Sequence, residues 1–440
     1  MNYPSRCNRT ERVAGLASAE RGFVCGRIAR LDTASLVLCD DSGSAELLLE
    51  CPSGGVQAGD IVEIAFRRDS AKSCTASAIR LLAPALRQPW GNPDFRRFTP
   101  GLKAALRLRA LLIESIRRFF AELDFLEVET PALVPSPGLE PHLRAFATDY
   151  VPEAGNAEAG LPRRVFLPAS PEYHMKRMLA AGFERIFQLC RTFRNGESFH
   201  LHTPEFTMLE WYRAYADSTA IMADMEMLGA RLAEAAGAGP CVEFRGGQID
   251  FTPPWPQISV REAFQKLAGI TLPPESDPDA LRRAARKAGF DNITDADSWD
   301  DAFYKVFLAA IEPKLGMGKP AFLVEYPASM AALAKKKESD PAVAERFELF
   351  IGGVEIANGF TELNDPAEQR KRFEEEFEQR RLMHAPEHPI DERLLDALAI
   401  GMPPSGGVAV GVDRLIMILA GKDSIADVIA FPFAHDWGSW

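Results

Sequence analysis

Apolar positions follow two different rhythms along this chain. Between residues 22 and 83 they alternate over the short runs GFVCGRIARL, SLVLCD, SAELLLE, DIVEIAFRR and CTASAIRLL. The breaks are Asp40-Asp41-Ser42-Gly43, Pro52-Ser53-Gly54-Gly55 and Ala58-Gly59-Asp60. Period-two alternation between Gly/Asp turns predicts strands, and their even spacing predicts a small closed barrel. From residue 101 the rhythm changes. Leu108, Leu112, Ile113, Ile116, Phe119 and Phe120 recur near three-and-four spacing, which predicts a helix over 101–124. A strand and Pro131 follow in DFLEVETPALVPSPG.

Residues 1–21 read as a polar lead-in, 22–83 as the barrel, and 84–100, with four prolines, as a linker. Residues 101–440 then form the larger domain. Within it, 150–165 reads as an insertion, 216–235 as a packing helix, and 253–320 as turns and amphipathic helix without chemistry. Lys335-Lys336-Lys337 reads as a solvated loop. The turn order of the barrel resembles an OB-fold.

At 440 residues, 47% hydrophobic and 25% charged, the chain has the composition of a soluble globular protein. It contains no run long enough to span a membrane, and its first residues lack the apolar core of a secretion signal. Seven scattered cysteines without a CxxC pair predict reduced thiols in a cytoplasm, not a disulfide framework or a zinc site. The net charge of −12 argues against broad nucleic-acid binding.

Two stretches carry the chemistry: FRNGESFHLHTPEFTMLEWYR (193–213) and GGVAVGVDRLIMIL (406–419). They resemble motifs 2 and 3 of the class II aminoacyl-tRNA synthetases, most closely the lysine branch, and helix–strand–Pro131 resembles motif 1. The resemblance spans roughly residues 100–434. It implies an α+β fold, with an antiparallel sheet flanked by helices and preceded here by the OB-like barrel, and a homodimer built on motif 1.

The resemblance further implies ATP and Mg²⁺. Arg194 would clamp the α-phosphate, since a planar guanidinium meets phosphate oxygens bidentately. Phe206 and Arg414 would sandwich adenine, with Asn195, Glu197, His202, Thr203, Leu349 and Gly411 around the nucleotide. Glu348 and Glu355 would hold the metal. Arg194 and Arg414 are the catalytic candidates. For the amino acid the resemblance supplies Ser170, Glu172, Glu210, Tyr212, Glu355, Asn358, Phe360, Glu362 and Ala409. Acids converging on one small site need a cationic ligand, and a diamino acid such as lysine fits that balance.

Three features resemble the truncated lysine-branch relatives that attach (R)-β-lysine to elongation factor P. They are SPEYHMKR (170–177), Ala409 where lysyl-tRNA synthetases usually carry Gly, and residues 363–407. Two positions depart from the pattern. Gly196 precedes the motif 2 acid, leaving the adenine contact to Glu197 or to backbone, and Thr203 stands where Asn is usual. The leading expectation is therefore an AMP-forming ligase acting on elongation factor P. A tRNA-charging enzyme and a catalytically silent paralogue are the alternatives. The barrel's few aromatics, Phe23 and Phe66, and its balanced charges argue against strong tRNA binding.

Overall fold

The computed structural model describes residues 6–70, 73–141, 143–152, 162–237 and 239–437. The chain divides into two compact units, Met1–Ala105 and Leu106–Trp440.

The first unit holds the closed barrel. Arg21–Leu31 pairs antiparallel with both Ser35–Cys39 and Ile61–Ser70. Ser44–Leu49 continues from Ser35–Cys39 and runs parallel to Ser73–Ala83, which closes back on Ile61–Ser70. Alternation sends Val24, Ile28, Leu36, Leu38, Leu47, Val62 and Ile64 inward, all with no exposed surface. This is the OB-like strand order. The lead-in departs from expectation. Val13–Ala17 forms a 3₁₀ turn whose Val13 and Leu16 are buried in the barrel's core. Two apolar residues in a polar stretch suffice to cap a small barrel, because each removes about 1.5–3 kcal/mol worth of apolar surface from water. The proline-rich stretch is also less irregular than a linker, with a short helix Pro93–Arg97 capped by Asn92.

The second unit is built on a nine-stranded sheet, antiparallel except at its two edges, with helices on its faces. Along its main path the order is Gln257–Ser259, Ala321–Pro327, Asp340–Ile351, Val354–Thr361, Ser405–Gly411, Glu205–Ala214, Arg185–Phe193 and Leu126–Glu127. The predicted helix spans Pro100–Glu122. Its Phe120 stacks on Phe187 at 4.6 Å between ring centroids and packs on Trp211 at 5.1 Å. Asp413 ties three elements together: it pairs with Arg109 of this helix and accepts from the Thr207 backbone at 2.8 Å, at the start of the helix Val412–Leu419.

Other expectations need correction. The flanks of the 150–165 insertion are ordered as a two-stranded ribbon, Phe146–Tyr150 against Arg163–Leu167, while residues 153–161 lie outside the described residues. Lys336–Lys337 is a short strand on Asp340–Ile351. The three lysines 335–337 pair with Glu338, Glu368 and Glu325 respectively, so alternating acids draw that charge run into the fold.

Leu16→Ala should open the barrel. Removing a buried leucine costs about 2–5 kcal/mol, so amide exchange across the five barrel strands should accelerate while Glu205–Ala214 keeps its protection. Unchanged exchange in the barrel would show that the lead-in does not seal it.

Candidate active site

Strand register assembles the site. Glu210 lies opposite Ala409, Ala409 opposite Asn358, and Asn358 opposite Glu348. Residues in register on adjacent strands share a face, so these four form one transverse row. The next row holds Tyr212, Gly407, Phe360 and Arg346. With strands about 4.8 Å apart, the rows carry carboxylates over about 14 Å of one sheet face. Above them lies a cavity of about 480 Å³.

The central strand can hold this position only because residue 407 is glycine. A Cβ there would collide with the Tyr212 ring and with Oε1 of Glu362.

At one end of the cavity are the motif 2 and motif 3 arginines. The Arg194 guanidinium sits 5.3 Å from the centre of the Phe206 ring, and its buried Nε has no hydrogen-bond partner in the structure. A buried, unsatisfied guanidinium nitrogen on a cavity wall fits an incoming anion. Arg414, in contrast, is fully engaged. It donates to Leu201 O at 3.1 Å and Glu355 O at 2.9 Å, and lies 2.6 Å from His202 Nε2. Burial and the positive charges of Arg414 and Arg194 push His202 down to about 4, so near neutral pH its ring is uncharged and can accept from Arg414.

Glu348 and Glu355 also border this end. Arg346 donates to Glu348 at 2.6 Å and to Asn358 Oδ1 at 3.1 Å, with its guanidinium 4.4 Å from the Tyr326 ring centre. Burial pushes Glu348 up to about 7 despite Arg346, and the nearby Glu355 adds to the rise. Glu348, paired with Arg346, and Glu355, 3.6 Å from Arg414, are neighbouring hard oxygen donors of the kind that suits magnesium.

The other end is an acid pocket. Ser170 donates to Glu210 Oε1 at 2.6 Å and Tyr212 donates to Oε2 at 3.0 Å. Ser170 Oγ in turn accepts from the Glu172 backbone at 2.9 Å. Burial, reinforced by Glu172, pushes Glu210 up to about 8. Glu362, 1% exposed, is likewise pushed up to about 8 by burial, with the charge of Glu172 adding to the rise.

The cavity gathers Ser170, Glu172, Arg194, Glu197, His202, Thr203, Phe206, Tyr212, Glu348, Glu355, Asn358, Phe360, Glu362, Ala409, Gly411 and Arg414. Three expected residues lie elsewhere. Leu349 has no exposed surface, because strand alternation turns it into the core beside Glu348. Asn195 is exposed in the motif 2 loop, its backbone N–H bonded to Arg144 O. Glu210 lies beneath the cavity wall and reaches it through Ser170 and Tyr212.

Sequence reasoning missed others. Tyr304, Phe307, Leu308 and Glu312, from the stretch read as free of chemistry, form one wall. Lys176 and Arg346 were also missed. Their signals were the spacing from Glu172 to Lys176, one helical turn, and from Arg346 to Glu348, one same-face strand step.

The family model for class II tRNA synthetases (D, K and N) matches residues 94–435. This chain belongs to that family. The chain is 42% identical over 324 residues to the elongation factor P–(R)-β-lysine ligase of Salmonella paratyphi B, covering 73% of this chain and 93% of that protein. It is 43% identical over 329 residues to the ligase of the same name from Erwinia tasmaniensis, covering 74% and 94%. The family match begins at residue 94, beyond the barrel strands, so the chain carries an OB-like unit outside the matched region. Among its described residues no helix is long and apolar enough to cross a membrane.

The acid pocket predicts a pH dependence. Glu210, just beneath the cavity wall, must ionise to compensate an ammonium group held in the cavity, and burial raises its pKa to about 8 in the ligand-free chain. Cation binding therefore displaces a proton below pH 8. Affinity for a diamino acid should strengthen by up to about tenfold per pH unit between pH 6 and 8 for one displaced proton. The same raised pKa destabilises the free fold progressively from about pH 4.5 to 8, so the ligand-induced rise in Tm should grow over that range. A shift of constant size from pH 6 to 8 would contradict this protonation state.

Proposed function

We propose that this protein is an ATP-dependent, AMP-forming ligase of the elongation factor P–(R)-β-lysine type, with residues 101–440 as the catalytic domain. The supporting observation is the row Glu210–Ala409–Asn358–Glu348, which joins an acid-rich amino-acid pocket to a carboxylate pair and an unsatisfied arginine. The relatives' name supports the choice of (R)-β-lysine and of elongation factor P.

In the first step the carboxylate of the amino acid attacks the α-phosphorus of ATP and pyrophosphate leaves. Arg194 would meet the α-phosphate, with Phe206 and Arg414 stacking on adenine. Glu348 and Glu355 would hold Mg²⁺, which supplies neutralisation of the polyphosphate charge. Ser170, Glu172, Glu210, Tyr212, Asn358, Phe360 and Glu362 would seat the diamino acid over Ala409. In the second step the neutral ε-amine of an acceptor lysine attacks the carbonyl, an amide forms and AMP leaves. Orientation and charge complementarity carry the rate, and no enzyme nucleophile is needed.

A homodimer through the motif 1 region and a cytoplasmic location complete the reading. The OB-like barrel is the observation that favours tRNA as acceptor. Against it, Phe66 is buried, and barrel arginines are matched by acids, Arg30 with Asp32 and Glu46, Arg67 with Glu50 and Asp69. Those pairs reduce the positive charge free to meet a nucleic-acid backbone.

The test is pyrophosphate exchange with (R)-β-lysine and with α-lysine, without tRNA, followed by mass spectrometry of elongation factor P. Preference for (R)-β-lysine and one added β-lysyl group are expected. Exchange with neither amino acid would overturn the reading. In the same assay Arg194→Ala should lower exchange by about 10³-fold, as expected for loss of a transition-state charge contact; an unaffected rate would remove Arg194 from the site. Ala409→Gly removes the methyl between Glu210 and Asn358, and should move preference toward α-lysine by about tenfold. An unchanged ratio would show that this methyl does not position the substrate.

A further inference from the structure

Behind the amino-acid pocket lies a lysine that the proposed chemistry does not use. Lys176 is 1% exposed, and its Nζ sits 2.6 Å from Glu172 Oε1 and 2.6 Å from Glu362 Oε2. Both carboxylates border the cavity, whereas Lys176 does not. Apart from this ion pair, neither oxygen of the buried Glu362 has a hydrogen-bond partner in the structure. Glu210, the third acid, is held separately by Ser170 and Tyr212. Glu140 also borders the cavity, but it is exposed, so water can compensate its charge without a buried cation.

We propose that Lys176 is a specificity-determining positioning residue: a built-in ammonium that takes up one of the three carboxylates in and just beneath the pocket and leaves the pocket matched to two substrate amino groups. The inference rests on the ligase reading above and deepens it.

Charge counting under desolvation gives the reason. A buried carboxylate without a cation must take a proton or bear a large solvation penalty. Glu172, Glu210 and Glu362 together require three cations, and Lys176 permanently supplies one. A diamino acid supplies the other two. A monoamino acid leaves a carboxylate uncompensated, and the pocket disfavours it. A purely structural role explains the geometry less well, because a buried ion pair rarely stabilises a fold more than apolar side chains of the same volume would. Lys176 also fixes where the two acids point. It sits one helical turn after Glu172, in the helix Glu172–Ala180, and it draws Glu362 toward the same point.

Two substitutions test this in the full-length protein. Lys176→Ala removes the ammonium and leaves space for a small amine. Its KM for (R)-β-lysine in pyrophosphate exchange should rise by about 10- to 100-fold, in line with loss of one buried charge partner. Propylammonium chloride should then lower that KM saturably toward the wild-type value, whereas with wild type the same amine should act only as a competitor. Lys176→Met fills the volume without charge, and should show the raised KM without rescue. A second readout does not depend on activity. Propylammonium should raise the Tm of Lys176→Ala more than tetramethylammonium at equal ionic strength, and should not do so for wild type.

A wild-type KM in Lys176→Met would overturn the inference. So would a Lys176→Ala protein whose KM and Tm respond alike to both salts. An inactive wild type with an amine-specific Tm shift in Lys176→Ala would instead overturn the ligase reading while retaining Lys176 as the pocket's internal cation.

Discussion

The register of the strand Ser405–Gly411 is the constraint on which the rest of the site depends. It lies between the strands Glu205–Ala214 and Val354–Thr361, which carry Glu210 and Asn358 of the transverse row, and it is narrow, with glycine at 406, 407 and 411 and alanine at 409. Because side chains alternate with a period of two, a slip of one residue would bury the working face and expose the core face. Gly407 lets Tyr212 and Glu362 approach from opposite neighbours, and Gly359 plays a similar part against the Phe347 ring. Asp413 then links the end of this strand to Thr207 and to Arg109, so strand register and helix position are set together.

On that framework the electrostatics separate into two ends. At the motif 2 and 3 end, one arginine is satisfied and one is not. Arg414 is held by two backbone carbonyls and a neutral His202, whereas Arg194 keeps a buried nitrogen without a partner. A rigid neighbour beside an unsatisfied donor is a preorganised anion site, since little reorganisation remains when the anion arrives. At the other end, carboxylates outnumber cations, and burial suppresses their ionisation until a cation comes. Arg346 bridges the ends by bonding both Glu348 and Asn358. Anion recognition and cation recognition thus share one sheet face without neutralising each other.

Local pattern was a good guide wherever a residue's environment is set by its near neighbours in the chain. Alternation between turns gave the barrel strands, and three-and-four spacing gave Pro100–Glu122. It was a poor guide where a residue's partner is remote. Val13 and Leu16 look incidental in a polar segment until the barrel places a core beneath them. Tyr304, Phe307, Leu308 and Glu312 belong to helical turns with no motif of their own, and only folding brings them to the cavity. Leu349 misled for the opposite reason: a neighbour of Glu348 in sequence faces the other side of the strand.

The sequence by itself determined the fold class and which chemical groups are present: two motif arginines, a strand pair of glutamates, an acid set and an alanine in the glycine strand. Those are properties of residue type and short-range spacing, and short-range spacing survives in one dimension. Only the tertiary structure decided how the charges are apportioned. It gave Arg414 its partners and left Arg194 without one at Nε, put Glu210 one layer beneath the cavity, and placed Lys176 between Glu172 and Glu362. Burial and pairing at a few ångströms set the ionisation of these groups, and both arise from segments far apart in the chain, Arg414 and His202 by 212 residues.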